Sequence, residues 1–118
     1  NMIYTSYFAA IPKLPRANRY ISIARFTPSW MRIKMPIFTP LVPSRDILFN
    51  YKETHDEVEY TRRYITEHLN RLDCDAVYKE LDFSILFCYE APDDFCHRHL
   101  VANWFREHGY ECREVQLL

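Results

Sequence analysis

The feature that most constrains the fold of this chain is an almost uninterrupted apolar run over Ser84–Tyr89, with the sequence SILFCY. Strands with one face in water alternate polar and apolar residues, whereas a continuous apolar run is typical of a strand buried on both faces of a parallel sheet. A turn and a helix start follow at Pro92–Asp94, and a helical pattern then continues to Gly109. The chain is therefore expected to contain a strand–helix unit of an α/β fold.

Other parts of the chain supply more strands and helices. The pattern Thr54-x-x-Glu57 is typical of a helix start, and apolar residues at helical spacing continue to about Leu72. Cys74–Leu81 is expected to form a shorter helix. We predict one α/β domain over residues 1–118, in which a mainly parallel sheet is flanked by helices as in a Rossmann-like layered sandwich. Three further segments are expected to form strands: Met2–Phe8, Tyr20–Phe26 and Glu111–Leu118.

The composition is that of a protein with an ordinary core. Of the 118 residues, 48% are hydrophobic, and no apolar run approaches the roughly 20 residues that a membrane-spanning helix needs. The first residues do not show the charged start, apolar block and cleavage site of a signal peptide. We therefore expect a cytoplasmic protein without a membrane partner, whose four cysteines are mostly reduced thiols.

Several common types of active site are excluded. Gly109 is the only glycine, so the glycine-rich loops that hold dinucleotides or nucleoside triphosphates cannot form. A nucleophilic serine of the hydrolase type also needs flanking glycines. A phosphatase loop needs an arginine six positions after its cysteine, but those positions hold Glu80, Asp94, Ala102 and Leu118.

Charge is distributed unevenly along the chain. Residues 1–52 contain eight Lys or Arg and one acidic residue, which gives a net charge of +7. Residues 53–118 contain seven Lys or Arg and fifteen acidic residues, which gives a net charge of −8. Such asymmetry can mark a surface that binds an anion. It is also compatible with a compact fold in which the two halves interleave and the charges mix.

The best candidate for a functional site is the junction between the apolar strand and the helix after it. Ligands of open parallel sheets bind beyond the carboxyl ends of the strands, where Cys88 and Glu90 are expected. Arg25 follows an earlier strand and could reach the same edge. On the helix, His97 falls within the apolar stripe and is predicted to face the sheet. It would be either a buried neutral histidine bonded to a backbone carbonyl or a general acid–base group.

Two cysteines lie at this junction, and the sequence leaves their roles open. Cys96 is expected in the first helical turn, where the helix dipole and Arg98 would lower its pKa and make it a candidate nucleophile. The alternative is an unreactive packed thiol, and Cys88 is expected to be a small core residue near the site. A zinc site formed by both cysteines and a histidine lacks a second ligand pair, so we expect no metal. A reversible disulfide between them is the least favoured arrangement.

The segments LFCYE and FCHRHLVANWF combine a strand ending in Cys-x-Glu with a helix opening in Cys-His-Arg. This combination resembles domain-of-unknown-function family 488, small α/β proteins of bacteria, archaea and phages, and the chain is similar to its short subgroup. IYTSYF and ISIARFTPSW resemble the first strands of that family, although Thr5-Ser6-Tyr7 stands where many members have Gly-His-Ser. The family has no settled activity. The resemblance implies the site positions Arg25, Pro28, Trp30, Cys88, Glu90, Cys96, His97 and Arg98.

Residues and resemblance together favour an enzyme-like pocket for a small anionic or nucleotide-like ligand, and they leave open whether a reaction takes place there. The arginines would hold the anion, and the catalytic residues would supply a nucleophile and two proton carriers. No cofactor is expected. The proposed catalytic group is Cys96, His97 and Glu90, and the proposed ligand-binding group is Arg25, Arg98, Trp30 and Cys88.

Two other functions stay open, and no oligomeric state is predicted. The chain could be a non-catalytic module that binds nucleic acid or a protein partner through the basic residues of its first half. The junction could also be structural, with Glu90, Arg98 and His97 locking the strand to the helix. The basic residues in question are Lys13, Arg16, Arg19, Arg32 and Lys34.

Overall fold

A four-stranded sheet forms the centre of the fold in this computed structural model, which describes residues 1–16 and 18–117. Its strands are β1 (Ile3–Tyr7), β2 (Arg19–Ser22), β3 (Ser84–Cys88) and β4 (Cys112–Glu114). They lie in the order β2-β3-β1-β4, and all of the pairs are parallel. The apolar strand β3 is central and every one of its residues is buried, as the run over Ser84–Tyr89 predicts.

Helices cover one face of this sheet: α1 (Arg45–Thr54), α2 (Glu57–Glu67), α3 (Cys74–Glu80) and α4 (His97–Glu107). Their buried side chains pack on one set of strand residues, which includes Leu86. The opposite face is covered by the 3-10 helix Phe8–Lys13, whose Phe8 ring stacks on Phe87 with ring centroids 5.9 Å apart. The predicted class, a parallel α/β sheet with helices packed on it, is confirmed. No helix among the described residues is long and apolar enough to cross a membrane.

Strand β2 ends sooner than the predicted strand Tyr20–Phe26. The Ile23 amide still donates to the Phe87 carbonyl at 3.0 Å. The Ile23 carbonyl, however, accepts a hydrogen bond from the ring of His97 instead of from a neighbouring strand. The ladder therefore stops at this point, and Arg25 lies on the loop beyond it.

The last strand is also shorter than predicted. Although β4 covers three residues of the predicted Glu111–Leu118, the Val115 amide still donates to the Thr5 carbonyl at 2.9 Å. Leu118 lies outside the described residues. The strand matters for the site because its last residue is Glu114.

The pattern Thr54-x-x-Glu57 does not form the predicted capping box. Thr54 is the last residue of α1, and its hydroxyl donates to the Asn50 carbonyl at 3.0 Å. The N-cap of α2 is Asp56, whose carboxylate accepts from the Glu59 amide at 3.0 Å. α2 then ends before the predicted end at about residue 72, and a 3-10 turn follows over residues 69–71.

Helix α4 begins at His97, later than the predicted start at Pro92–Asp94. The Asp94 amide donates to the Ala91 carbonyl at 3.0 Å, which closes a turn instead of a helix. Cys96 is the N-cap, with extended backbone angles of φ −154° and ψ 142°. The prediction that Cys96 lies inside the first helical turn is therefore wrong, because its side chain precedes the helix.

Candidate functional site

A pocket of about 400 Å³ lies at the carboxyl ends of β2 and β3, beside the start of α4. In open parallel sheets this is the place where ligands bind. The first half of the chain adds Phe26, Pro43, Leu48 and Lys52 to its lining. Five of the predicted site residues also line it: Arg25, Cys88, Glu90, Cys96 and His97.

Cys88 and Cys96 are joined by a disulfide at the wall of this pocket. Cys88 is the last residue of β3 and Cys96 is the N-cap of α4, so the turn between them returns the chain to the same edge of the sheet. Their side chains are buried, and their Cα atoms lie 7.3 Å apart. The arrangement least favoured by the sequence is thus the one present, whereas Cys74 and Cys112 are free thiols as expected.

His97 is buried at the pocket and bonded to the backbone. Its Nε2 lies 2.7 Å from the Ile23 carbonyl oxygen, and since a carbonyl only accepts, Nε2 carries the proton and Nδ1 keeps a free lone pair. Burial lowers the pKa of His97 to about 4, so the ring is neutral near pH 7. The predicted inward orientation is confirmed, and the geometry is that of a neutral histidine bonded to a carbonyl.

Arg98 lies behind the disulfide and is not among the residues that line the pocket. Its fully buried guanidinium forks onto Glu114, with Nε to Oε1 at 3.0 Å and Nη2 to Oε2 at 2.9 Å. The remaining nitrogen, Nη1, donates to Cys88 Sγ at 3.3 Å. Because a neighbouring cation favours a thiolate over a thiol, Arg98 is placed to stabilise negative charge on Cys88 when the disulfide is reduced.

Two cations line the pocket, and within residues 1–16 and 18–117 neither forms a salt bridge. The Nε of Arg25 donates to the Pro43 carbonyl at 3.0 Å, which fixes the guanidinium at the pocket wall. The Nζ of Lys52 lies 5.9 Å and 5.3 Å from the ring centroids of Phe26 and Phe49. Their positive charge is therefore available to an anionic ligand.

Glu90 is exposed and supplies the carboxylate of the pocket. It also lines a small adjoining cavity of about 60 Å³, whose walls include Tyr51, Tyr60 and Phe95. An exposed carboxylate at the mouth of a pocket can exchange protons with solvent. Glu90 is thus the predicted proton carrier that the structure leaves in contact with water.

Trp30 is 57% exposed and does not line the pocket. A larger surface groove of about 830 Å³ lies between α2 and α4, and its lining includes Thr61, Trp104 and His108. That groove contains no cysteine and none of the predicted site residues. We therefore place the candidate site at the smaller pocket, where the thiols, histidine and cations meet.

Lys52 and Glu114 belong to the site, and the sequence predicts neither of them. Lys52 reaches the pocket because α1 lies beside the loop after β2, where the ring centroids of Phe26 and Phe49 are 6.5 Å apart. Glu114 is sixteen residues from Arg98 and meets it because β4 pairs with β1. The sequence contains one indication that such a carboxylate exists. Arg98 is at the border of the apolar stripe of its helix, and a partly buried arginine needs a carboxylate partner.

No family model, curated protein or solved structure matches this chain. The likeness to domain-of-unknown-function family 488 therefore remains a proposal.

Proposed function

We propose that this protein is an enzyme that binds a small anionic ligand in the pocket and acts on it through a thiolate of the reduced Cys88–Cys96 pair. The observation that carries the proposal is the presence of two cations, Arg25 and Lys52, beside these sulfurs in a pocket of about 400 Å³; neither has a carboxylate partner in the part of the chain that the structure describes. Pockets of roughly 300–1,000 Å³ are usual for small molecules. The likeness to family 488 belongs to the same proposal, since five of the positions it implies line this pocket.

Arg25 and Lys52 hold the anion. Arg98 does not contact the anion, and its hydrogen bond to Cys88 Sγ stabilises negative charge on that sulfur. Cys96 is the nucleophile, because this residue is 7% exposed whereas Cys88 is 1% exposed. Its sulfur forms a bond to the electrophilic centre of the ligand, and the leaving group departs with the electron pair of the bond that breaks. Glu90, which lines the same pocket, takes up the proton that Cys96 loses as its thiolate forms and then gives it to the leaving group, so the carboxylate is regenerated.

The sequence predicts that His97 carries protons, but in this proposal it has a different role. Whereas Glu90 is exposed to solvent, His97 is buried, and burial lowers its pKa to about 4. Its N–H is also occupied by the Ile23 carbonyl. His97 is therefore a positioning residue that presents a neutral nitrogen to the site.

The proposal is tested by comparing an anionic with a neutral alkylating reagent. In protein reduced with a phosphine, a thiolate displaces iodide from either reagent: iodoacetate leaves a carboxymethyl group on the sulfur, and iodoacetamide leaves a carbamidomethyl group. A cation about 6 Å from the reagent contributes ~0.7–1.4 kcal/mol, which favours iodoacetate by roughly 3–10-fold over the ratio found for an unstructured thiol peptide. Peptide mass spectrometry locates the modification at Cys88 and Cys96.

The matched variants decide whether the pocket causes this preference. Arg25→Gln and Lys52→Gln should each reduce it, whereas Arg45→Gln, which removes an exposed arginine outside the pocket, should leave it unchanged. Burial raises the pKa of Cys74 to about 11 and that of Cys112 to about 12, so these thiols are unreactive internal standards. The same ratio in the wild type as in the free peptide would refute the proposal.

A non-catalytic module for nucleic acid or a protein partner stays a prediction. The five basic residues assigned to this function are all exposed, but none of them lines the pocket. They are Lys13, Arg16, Arg19, Arg32 and Lys34. Arg19 donates to the carbonyls of Glu80 and Asp82, both at 3.2 Å. No observation specific to these residues favours this function over that of the pocket.

A further inference from the structure

We infer that Cys88, Cys96 and His97, once the disulfide is reduced, bind a divalent metal ion of the zinc class. Their ligand atoms lie within 4.8 Å of one another, and all three side chains are buried. Two thiolates and an imidazole form a donor set that zinc prefers. A tetrahedral ion with zinc–sulfur bonds of about 2.3 Å holds such atoms roughly 3.5–3.8 Å apart, so side-chain movements of about 1 Å assemble the site.

The backbone already orients His97 for this role. Its Nε2 donates to the Ile23 carbonyl at 2.7 Å, so the nitrogen with the free lone pair is Nδ1. Histidines that bind metals usually donate their other N–H to a carbonyl or carboxylate, which fixes the ring and the tautomer. Here the carbonyl is that of Ile23, the residue directly after β2.

The spacing of the two cysteines also suits a shared ion. Their Cα atoms are 7.3 Å apart, whereas the usual range for a disulfide is about 4.4–6.8 Å. An ion between the sulfurs adds two metal–sulfur bonds in place of one sulfur–sulfur bond, and so accommodates a wider backbone separation. The frame formed by the end of β3 and the cap of α4 therefore fits two coordinating thiolates.

The charges around the site balance when an ion is bound. A divalent ion with two thiolates is neutral, and the adjacent cation Arg98 is neutralised by Glu114 at 2.9 Å. The hydrogen bond from Arg98 to Cys88 Sγ, at 3.3 Å, remains as a contact from the outer shell. The ion therefore brings no uncompensated charge into a buried place.

The fourth coordination position opens to the pocket, because all three ligands line it. Three protein ligands and one open position are typical of catalytic zinc sites, in which the ion activates a bound water. This consequence rests on the proposed function, since the anion held by Arg25 and Lys52 would lie next to the ion. With Cys96 engaged as a ligand, the ion would supply an activated water as the nucleophile in its place.

Metal binding requires reduction and releases protons. A phosphine reductant takes up the oxygen of one water to become its oxide, and the disulfide gains two electrons and two protons to give two thiols. Each thiol then loses its proton to solvent as its sulfur coordinates the ion. The oxidised protein has no thiolate to offer and does not bind the ion at this site.

The test uses cobalt(II) as a spectroscopic substitute for zinc. Full-length protein reduced with the phosphine should bind one cobalt ion per chain, with thiolate-to-cobalt charge-transfer absorption and the strong visible bands of a tetrahedral site. Zinc should displace the cobalt and slow the iodoacetamide labelling of both cysteines. The disulfide form should show neither effect.

Matched variants separate the ligands from their neighbours. Cys88→Ser, Cys96→Ser and His97→Gln should lose cobalt binding, whereas Cys112→Ala and His99→Gln should keep it; circular dichroism checks folding. The labelling experiment on the wild type needs no variant, and labelling that zinc leaves unchanged would overturn the inference.

The result is distinguishable from that of the proposed function, because the iodoacetate preference is measured without metal. If that preference is present and cobalt does not bind, the metal site is wrong and the anion pocket stands. Cobalt binding without the preference would reject the anion pocket and support the metal site.

Discussion

Removal of one partner from the buried ion pair between Arg98 and Glu114 should cause a large, measurable loss of stability. Arg98 has no exposed surface, and the side chain of Glu114 is 17% exposed. Glu114→Gln keeps the shape of the side chain but leaves the arginine as an uncompensated buried charge, which typically costs about 3–5 kcal/mol. With an unfolding entropy of about 2.1 cal/mol/K per residue, this loss lowers the Tm of a 118-residue domain by ~12–20 °C. Urea unfolding, followed by circular dichroism, measures the change in the free energy of unfolding.

An exposed pair of the same chemistry provides the control. Arg62 forks onto Glu59 with Nη2 to Oε1 at 2.7 Å, and the two side chains are 62% and 38% exposed. Glu59→Gln should therefore cost no more than about 1 kcal/mol. The double variant Arg98→Met/Glu114→Leu should recover most of the loss, because apolar residues can replace a buried pair. A loss below about 1 kcal/mol for Glu114→Gln would refute this reasoning, because that is the value of a solvent-exposed pair.

Two further predictions concern helix α2 and the residue that follows it. Asp56→Ala removes the N-cap and should cost about 1 kcal/mol in urea unfolding, more than Thr54→Ala, whereas a capping box would give the reverse order. The Ser44 amide donates to His68 Nε2 at 3.1 Å, and burial lowers the pKa of His68 below its ordinary value. The unfolded chain therefore binds the proton more readily, so stability should fall as the pH drops below about 6.5. His68→Gln keeps an acceptor and should show a smaller loss between pH 7 and pH 5; an equal loss in both proteins would contradict the assignment.

The parts of the fold that the sequence predicts are those encoded by local patterns. The run over Ser84–Tyr89 identifies the central strand because burial on both faces excludes polar residues from it. The apolar stripe of α4 likewise predicts that His97 faces inward. The start of α4 is predicted wrongly, because Pro92–Asp94 has the chemistry of a helix start but forms a turn, and the helix begins at His97. Whether this segment forms a turn or a helix depends on the distance that it must span to place Cys96 beside Cys88. That distance is set by the whole fold and not by the local sequence.

Side chains that are distant in sequence but in contact across the sheet cannot be predicted from a local pattern. The contact between Arg98 and Glu114 is of this kind, and it changes the interpretation of the site. The sequence assigns both arginines to the anion, yet Arg98 is held by Glu114 behind the sulfurs, whereas Arg25 has no carboxylate partner among the described residues. Stability and ligand binding therefore depend on different cations. Loss of Arg25 or Lys52 should alter the reactivity of the pocket without a large change in unfolding free energy. A purely structural junction would give the opposite pattern, in which only the residues that lock strand to helix have measurable effects.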